Sequence, residues 1–204
     1  MDNGSTLIQD IAPLRDFVRG MTALADAGGD EALFLKQAPD LLRRLVLSDN
    51  WLPPEYTAPT DTFRQLLLHC DPQQRFSVVC FVCGPRQQTP VHNHTVWGLV
   101  AVHQGEEIST EMLPDPHGGP MRPGRVDRLK RGDVVVLSSD SYDTHRVENG
   151  AEGRTSISIH VYGANIGAVT RAMFNAETSQ PEYFISGYDN KAVPNLWDLS
   201  RVAA

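Results

Sequence analysis

The chain has 204 residues, of which 41% are hydrophobic, and its formal net charge is −7. A chain of this length is expected to form one domain with a core large enough to fold without disulfide bonds. The acidic balance argues against a nucleic-acid backbone as partner. No apolar run approaches the roughly 18 residues of a membrane span, and the polar N-terminus does not resemble a signal peptide. We therefore predict a cytoplasmic globular protein that binds neither nucleic acid nor membrane.

Two helical patterns precede residue 50. Apolar residues recur at spacings of three and four within residues 7–21, and the same spacing returns within residues 32–45. Asp30 stands where the N-cap of the second helix is expected. The proline-rich segment 51–60 then serves as a connector.

The pattern from residue 63 to about residue 171 is that of β-structure. Short runs rich in valine, leucine, isoleucine and threonine alternate with turn signals, which is typical of a sandwich or a small barrel. The predicted strands lie near residues 63–70, 75–83, 96–103, 107–113, 124–130, 133–138, 144–149 and 155–162. We predict one domain over residues 1–204. It has helices in residues 1–50, a barrel core in residues 60–175, and a tail, residues 176–204, that packs on the barrel.

The three cysteines do not indicate a disulfide framework, because their number is odd and no secretion signal is expected. Cys80 and Cys83 have the Cys-x-x-Cys spacing of a redox or zinc half-site. They lie in an apolar run that predicts a strand, where residues three apart point to opposite faces. We therefore expect Cys70, Cys80 and Cys83 to be reduced thiols that pack in the core or at the surface.

The segment around His92 and His94 contains the first candidate ligands. Two histidines at positions i and i+2 of an extended segment share one face, so their imidazoles can converge on one metal ion. Such a pair is a weak signal by itself. Its surroundings strengthen it, because residues 84–105 resemble the first motif of the cupins, including the spacing from Gly98 to Gly105.

A second segment, residues 132–149, resembles the other cupin motif in its spacing from His145 to Asn149. The resemblance implies a mainly β fold, a small jelly-roll barrel, in which His145 joins the two earlier histidines. Most cupins also have a glutamate ligand, and here that position is Gly98. Three neutral ligands leave a divalent ion with its full charge, which suits a soft anionic donor such as a thiolate.

The predicted strand 155–162 alternates between apolar and polar residues. Ser158, His160 and Tyr162 lie on the polar face, with Ser156. One interpretation is an ordinary strand with this face in water. The alternative turns the polar face inward, where Ser158 orients His160 and His160 holds the Tyr162 hydroxyl near the metal.

With both motifs and the Ser-x-His-x-Tyr pattern, roughly residues 60–175 are similar to the thiol dioxygenases. This cupin family includes cysteine dioxygenase and 3-mercaptopropionate dioxygenase. The resemblance implies Fe(II) bound by the three histidines and catalytic roles for the serine, histidine and tyrosine of residues 158–162. It also implies a small thiol and O₂ as the molecules bound, and a sulfinic acid as product. The oligomeric state is left open.

Two further residues bear on the substrate. Gln65 matches a glutamine of the bacterial branch of the family, and Arg171 matches the arginine that binds the substrate carboxylate there. An arginine suits a carboxylate because its planar fork donates two parallel hydrogen bonds. Without the resemblance, an ordinary strand glutamine and a surface arginine are expected. Gly98 stands where mammalian-type enzymes have a cysteine bonded to the relay tyrosine, so no such cross-link is expected.

The substrate implied is L-cysteine or 3-mercaptopropionate, and the pair Gln65 and Arg171 favours the latter. Two alternatives remain open. One is another metal-dependent cupin enzyme, such as an isomerase or a diketone-type dioxygenase, and the other is a ligand-binding cupin without activity. Tyr142 and Asp143, just before His145, are candidates for supporting the metal ligands.

Overall fold

The computed structural model describes residues 10–138 and 143–198. Helix α1 covers Ala12–Asp26 and helix α2 covers Glu31–Leu47. The Asp30 side chain accepts a hydrogen bond from the Leu33 backbone N–H at 2.9 Å, as predicted for the N-cap. No helix within these residues is both long and apolar enough to cross a membrane.

Eleven strands in the described residues form two antiparallel sheets. The strands are β1 (Arg64–Cys70), β2 (Ser77–Cys83), β3 (Val91–His92), β4 (Gly98–Gln104), β5 (Glu106–Leu113), β6 (Arg122–Lys130), β7 (Val134–Leu137), β8 (His145–Asn149), β9 (Ser156–Tyr162), β10 (Arg171–Phe174) and β11 (Pro181–Phe184). The first sheet has the order β1-β2-β9-β4-β7, and the second has the order β11-β10-β3-β8-β5-β6. The prediction of a mainly β barrel with N-terminal helices is confirmed.

The eight predicted strands all occur, with ends that differ by a few residues. Three strands were missed, namely β3, β10 and β11. Strand β3 has only two residues, and β10 and β11 have four each, so none is long enough to show a clear alternation of apolar and polar residues. The second sheet consequently extends to Phe184, beyond the barrel boundary expected at residue 175.

The centre of the first sheet is buried on both faces, as strand β9 shows, because all seven of its residues are buried. Ile157, Ile159 and Val161 pack in the main hydrophobic core, which also contains the apolar faces of α1 and α2. The polar face of β9 points to the other side, where Ser158 is bonded to Glu107 of the second sheet. The interpretation with the polar face in water is therefore wrong, and the alternative with this face inside the barrel is correct.

Strand β2 is likewise buried along its whole length, and it contains two of the cysteines. The three thiols form no disulfide bond, and Cys80 and Cys83 are buried. Burial raises the pKa of the Cys83 thiol to about 11, so this thiol is neutral near pH 7. This agrees with the expectation of packed, reduced cysteines.

The chain after β11 lies against strand β1. The backbone N–H of Gln65 donates to the Asp189 carboxylate at 2.6 Å, and the Asp189 N–H donates to the Gln65 carbonyl at 2.9 Å. Asn190 bonds both backbone groups of Leu67. These contacts place residues 186–189 at one open end of the barrel, which we call the mouth.

Candidate metal centre

Three histidines meet between strands β3 and β8. His92 and His145 are directly opposite each other in the β3–β8 pair, and His94 follows two residues after His92. The potential ligand atoms of the three side chains all lie within 4.8 Å of one another. The structure thus brings together the three residues that the sequence motifs predicted as ligands.

Hydrogen bonds fix the orientation of two of these rings. Nδ1 of His92 lies 3.0 Å from the Pro90 carbonyl, which can only accept, so this nitrogen carries the proton. Nδ1 of His145 lies 2.8 Å from the Ser109 hydroxyl. Partners on the far ring nitrogen are what orient histidine ligands in metal sites, and they leave Nε2 of each ring available for a metal ion.

The third ring is supported by Asp143. Its carboxylate accepts hydrogen bonds from the backbone N–H groups of His94, at 2.8 Å, and Thr95, at 3.1 Å. The same carboxylate lies 3.3 Å from His94 Nδ1, whereas Nε2 of His94 is buried without a partner. Asp143 thus occupies the supporting position predicted from the sequence, and Tyr142, the other candidate, lies outside the described residues.

Burial keeps these histidines neutral. Desolvation lowers the pKa of His92 to about 4, and it lowers the pKa values of His94 and His145 well below their usual value. Neutral imidazole is the form that binds a metal. Three converging imidazoles, one with an orphaned buried nitrogen, fit a divalent ion such as iron, zinc or nickel.

Gly98 leaves space beside this centre. It pairs with Tyr162 across strands β4 and β9, and a Cβ atom at residue 98 would lie 3.2 Å from the Tyr162 ring. The Tyr162 ring in turn stacks on His94, with 5.2 Å between the ring centroids. Position 98 therefore contributes no carboxylate to the centre, and the tyrosine ring lies there beside His94.

The Ser-x-His-x-Tyr residues form a continuous buried hydrogen-bonded chain. The Ser158 hydroxyl lies 2.8 Å from His160 Nε2, and His160 Nδ1 lies 2.9 Å from the Tyr162 hydroxyl. Sequence reasoning missed a fourth member, Glu107, whose carboxylate lies 2.5 Å from the Ser158 hydroxyl. Strand alternation places Glu107 and Ser109 on one face of β5, but no pattern in the sequence shows that this face is turned inward.

Arg171 and Gln65 also lie at the mouth, and a residue of the following loop joins them. The Arg171 guanidinium donates to the Ser186 hydroxyl at 2.7 Å and covers the Phe184 ring at 4.8 Å. Gln65 donates to the same hydroxyl at 3.1 Å and to the Gly187 carbonyl. Ser186 had no distinguishing pattern in the sequence, because its loop has no regular periodicity.

One cavity of about 410 Å³ connects these groups with His92 of the histidine centre. Its lining includes His92, Arg171 and Gln65, together with the rings of Phe63, Phe81, Phe184 and Tyr188. Arg171 is buried, its Nε atom has no partner, and no carboxylate of the described residues lies within ion-pair distance of it. The surface arginine expected without the family resemblance is therefore excluded.

No family model matches the chain. Among solved structures, the chain is similar to a double-stranded β-helix protein of Klebsiella pneumoniae, with 18% identity over 68% of this chain and 97% of that one and a TM-score of 0.43. It is also similar to a cupin superfamily protein of Desulfitobacterium hafniense, with 14% identity over 58% of this chain and 94% of that one and a TM-score of 0.41. In fold class the chain is mainly β, with two N-terminal helices and two antiparallel sheets. Its inward-facing histidines form a possible metal site.

Proposed function

We propose that this protein is an Fe(II)-dependent thiol dioxygenase that oxidises a small thiol carboxylic acid with O₂ to the sulfinic acid. The observation that carries the proposal is the pairing of two features in one cavity. His92, one of three converging neutral histidines, lines this cavity, and so does Arg171, a buried arginine with no carboxylate of the described residues within ion-pair distance. A substrate with a thiolate at one end and a carboxylate at the other complements both.

The carboxylate end of the substrate is assigned to Arg171. A buried guanidinium is costly unless it is paired, and its side chain here has a hydroxyl and an aromatic ring as its neighbours. A bound carboxylate would supply the missing countercharge through two parallel hydrogen bonds. Gln65 has no charge, so we assign it the role of holding Ser186, and through it the guanidinium, in position.

The thiol end is assigned to the three histidines. His92, His94 and His145 would hold the iron, which when bound supplies a redox-active centre where a thiolate reacts with O₂. The ligands are uncharged, so the ion keeps its full positive charge toward an anionic sulfur. Adding both oxygen atoms to the thiolate gives the sulfinate with no further reductant.

The catalytic roles of Ser158, His160 and Tyr162 are to hold a proton at the phenol oxygen, next to the reacting sulfur. The three side chains are buried, and burial raises the pKa of the Tyr162 hydroxyl, so this group stays a phenol in the neutral range. A phenol fixed by His160 can exchange a hydrogen bond with the substrate without becoming charged.

The test is oxygen uptake by iron-loaded protein with 3-mercaptopropionate, L-cysteine and cysteamine compared side by side. We expect uptake with the two acids, faster with 3-mercaptopropionate, and little with cysteamine, which has no carboxylate. Equal use of cysteamine would contradict the role of Arg171.

Two other outcomes would replace the proposal. Uptake with a diketone but with no thiol would indicate a different metal-dependent cupin enzyme. No uptake with any thiol, despite full iron occupancy, would indicate a ligand-binding protein.

A further inference from the structure

The hydrogen-bonded chain inside the barrel ends on a carboxylate. From the metal centre outward its members are Tyr162, His160, Ser158 and Glu107, with successive separations of 2.9, 2.8 and 2.5 Å. The first three belong to β9 of the first sheet, and Glu107 reaches them from β5 of the second sheet. This series of hydrogen bonds therefore crosses the interior of the barrel.

Glu107 is poorly satisfied for a buried carboxylate. One of its oxygens, Oε2, accepts the hydrogen bond from Ser158, and the other, Oε1, has no partner. His160, with Nε2 at 3.6 Å, is the basic group within ion-pair distance among the described residues. In the part of the chain that the structure describes, the other titratable groups facing Glu107 are the phenol of Tyr162 and the thiol of Cys83, both of which burial keeps neutral. The carboxylate of Glu107 therefore ends the hydrogen-bonded chain inside the barrel with one oxygen still able to form a hydrogen bond.

Counting protons fixes the direction of the three hydrogen bonds. An ionised carboxylate only accepts, so Ser158 donates its single proton to Glu107. The serine oxygen then accepts from His160 Nε2–H, and an imidazole that carries a single proton has none on Nδ1. Tyr162 must therefore donate to Nδ1, and its oxygen presents only lone pairs to the metal centre.

We propose that Glu107 is the terminal acceptor for the proton that the substrate thiol loses on binding. The inference rests on the proposed function, because it requires a thiol at the metal centre. The S–H bond breaks as its proton passes to the Tyr162 oxygen, and the phenol proton passes to His160 Nδ1. The Nε2 proton passes to Ser158, and the serine proton passes to Glu107. One proton enters the chain, one carboxylic acid forms at its end, and no redox change occurs.

The same transfer reverses every hydrogen bond. Glu107 now donates to Ser158, Ser158 donates to Nε2, and Nδ1–H donates to the phenol oxygen. The new phenol proton is left pointing at the metal centre. Tyr162 is thus an acceptor before the substrate binds and a donor afterwards, and Glu107 is the positioning residue that makes the change possible.

The experiment is a proton count for thiol binding, which needs no turnover. Full-length protein loaded with Zn(II) is titrated with 3-mercaptopropionate near pH 7 by calorimetry, in buffers that differ in ionisation heat. We expect the wild type to release no proton to the buffer when the thiol binds, because Glu107 takes up the thiol proton. Glu107→Gln has the same shape but cannot accept a proton, so it should release about one more proton per site than the wild type. Ser158→Ala, which breaks the chain but keeps Glu107, should give the same excess.

Glu106→Gln is the matched control, because Glu106 is the adjacent carboxylate on β5 and is paired with Arg128 at the surface. It should behave as the wild type. Equal proton release by the wild type and Glu107→Gln, with the thiol bound in both, would overturn this inference and leave the proposed function intact. If the thiol binds to none of the proteins, both the proposed function and this inference are wrong.

Discussion

Two regions of the molecule hold buried charge in opposite ways. In the turn between β1 and β2, the buried Asp71 carboxylate accepts two hydrogen bonds from the Arg75 guanidinium, at 2.8 and 2.9 Å, and a third from the Gln73 backbone at 3.0 Å. At the mouth of the barrel, Arg171 is equally buried but meets a hydroxyl and a ring, with no carboxylate of the described residues in ion-pair distance. A buried charge is paired within the chain in the first region and lacks a countercharge in the second.

The difference separates a structural role from a binding role. A buried charge with all its partners present stabilises the fold that holds those partners together. A buried charge without its counterion stores an unfavourable energy that a ligand can relieve. Substitutions in the turn should therefore affect stability, and substitutions at the mouth should affect binding and activity.

The largest effect is expected for His145→Ala. Loss of one of three converging ligands should weaken metal binding by more than about 100-fold, which exceeds the effect usual for residues that only support ligands. Metal content after dialysis and oxygen uptake both measure this. His69→Ala is the matched control, because His69 is a half-buried histidine near the turn that packs on Phe76. Normal iron occupancy and activity in His145→Ala would exclude the three-histidine site.

A smaller loss is expected for Arg171→Met. Charge-assisted hydrogen bonds in a desolvated site contribute about 1.5–3 kcal/mol, so kcat/KM should fall by roughly tenfold to more than a hundredfold. The free energy of unfolding should stay unchanged or rise, because an unpaired buried charge is removed. Arg171→Lys should recover little activity, since a point charge does not reproduce the fork. A marked loss of stability with unchanged kcat/KM would reverse the assignment of the two regions.

Asp71→Asn should show the opposite behaviour. The substitution removes one carboxylate oxygen that accepts hydrogen bonds from Arg75 or Gln73. The free energy of unfolding should therefore fall by about 1–3 kcal/mol, while kcat/KM is unchanged. Denaturant titration measures the first quantity. A reduced kcat/KM in protein that is fully folded would show that the turn communicates with the mouth.

The pH dependence of this effect has a definite sign. Hydrogen bonds from Arg75 lower the pKa of Asp71 below its ordinary value of 3.8, so the folded state favours the carboxylate. The stabilisation is complete above that ordinary value and is lost as the pH falls through the lowered one. The stability difference between the wild type and Asp71→Asn should therefore be constant near neutral pH and shrink in acid. A stability difference that grows as the pH falls would contradict a lowered pKa of Asp71 as its cause.

The smallest effect in this series is expected for Asp26→Asn. Asp26 pairs with Arg75 at 2.7 Å, but 63% of its side chain is exposed. Exposed ion pairs contribute about 0–1 kcal/mol, so the free energy of unfolding should change by no more than that. Asp26→Asn thus separates the effect of burial from the effect of pairing. A loss as large as that of Asp71→Asn would show that pairing alone, without burial, accounts for the stability of the turn.

The sequence predicted the parts of the structure that depend on local pattern. The alternation within residues 155–162 defined β9, and the spacing of His92 and His94 placed two ligands on one face. The local pattern could not show whether the polar face of β9 points into the barrel or into water. It depends on the helices that cover the opposite face and on Glu107 from the other sheet.

Two groups of the site, Ser186 and Glu107, could not be predicted from the sequence. Ser186 reaches Arg171 because β10 and β11 form a hairpin at the edge of the second sheet, and strands of four residues carry too little periodicity to show it. Glu107 follows Glu106, and a pair of glutamates on a strand looks like a solvated surface. Only the partner across the barrel distinguishes the buried member from the exposed one.

The central claim, oxidation of a thiol acid by O₂ at the three-histidine site, is tested most directly by the fate of the oxygen atoms. Iron-loaded protein is supplied with 3-mercaptopropionate under ¹⁸O₂, and the product is examined by mass spectrometry. Our account predicts a sulfinic acid in which both oxygen atoms on sulfur carry the label. Unlabelled product, disulfide alone, or no product from fully iron-loaded protein would contradict it.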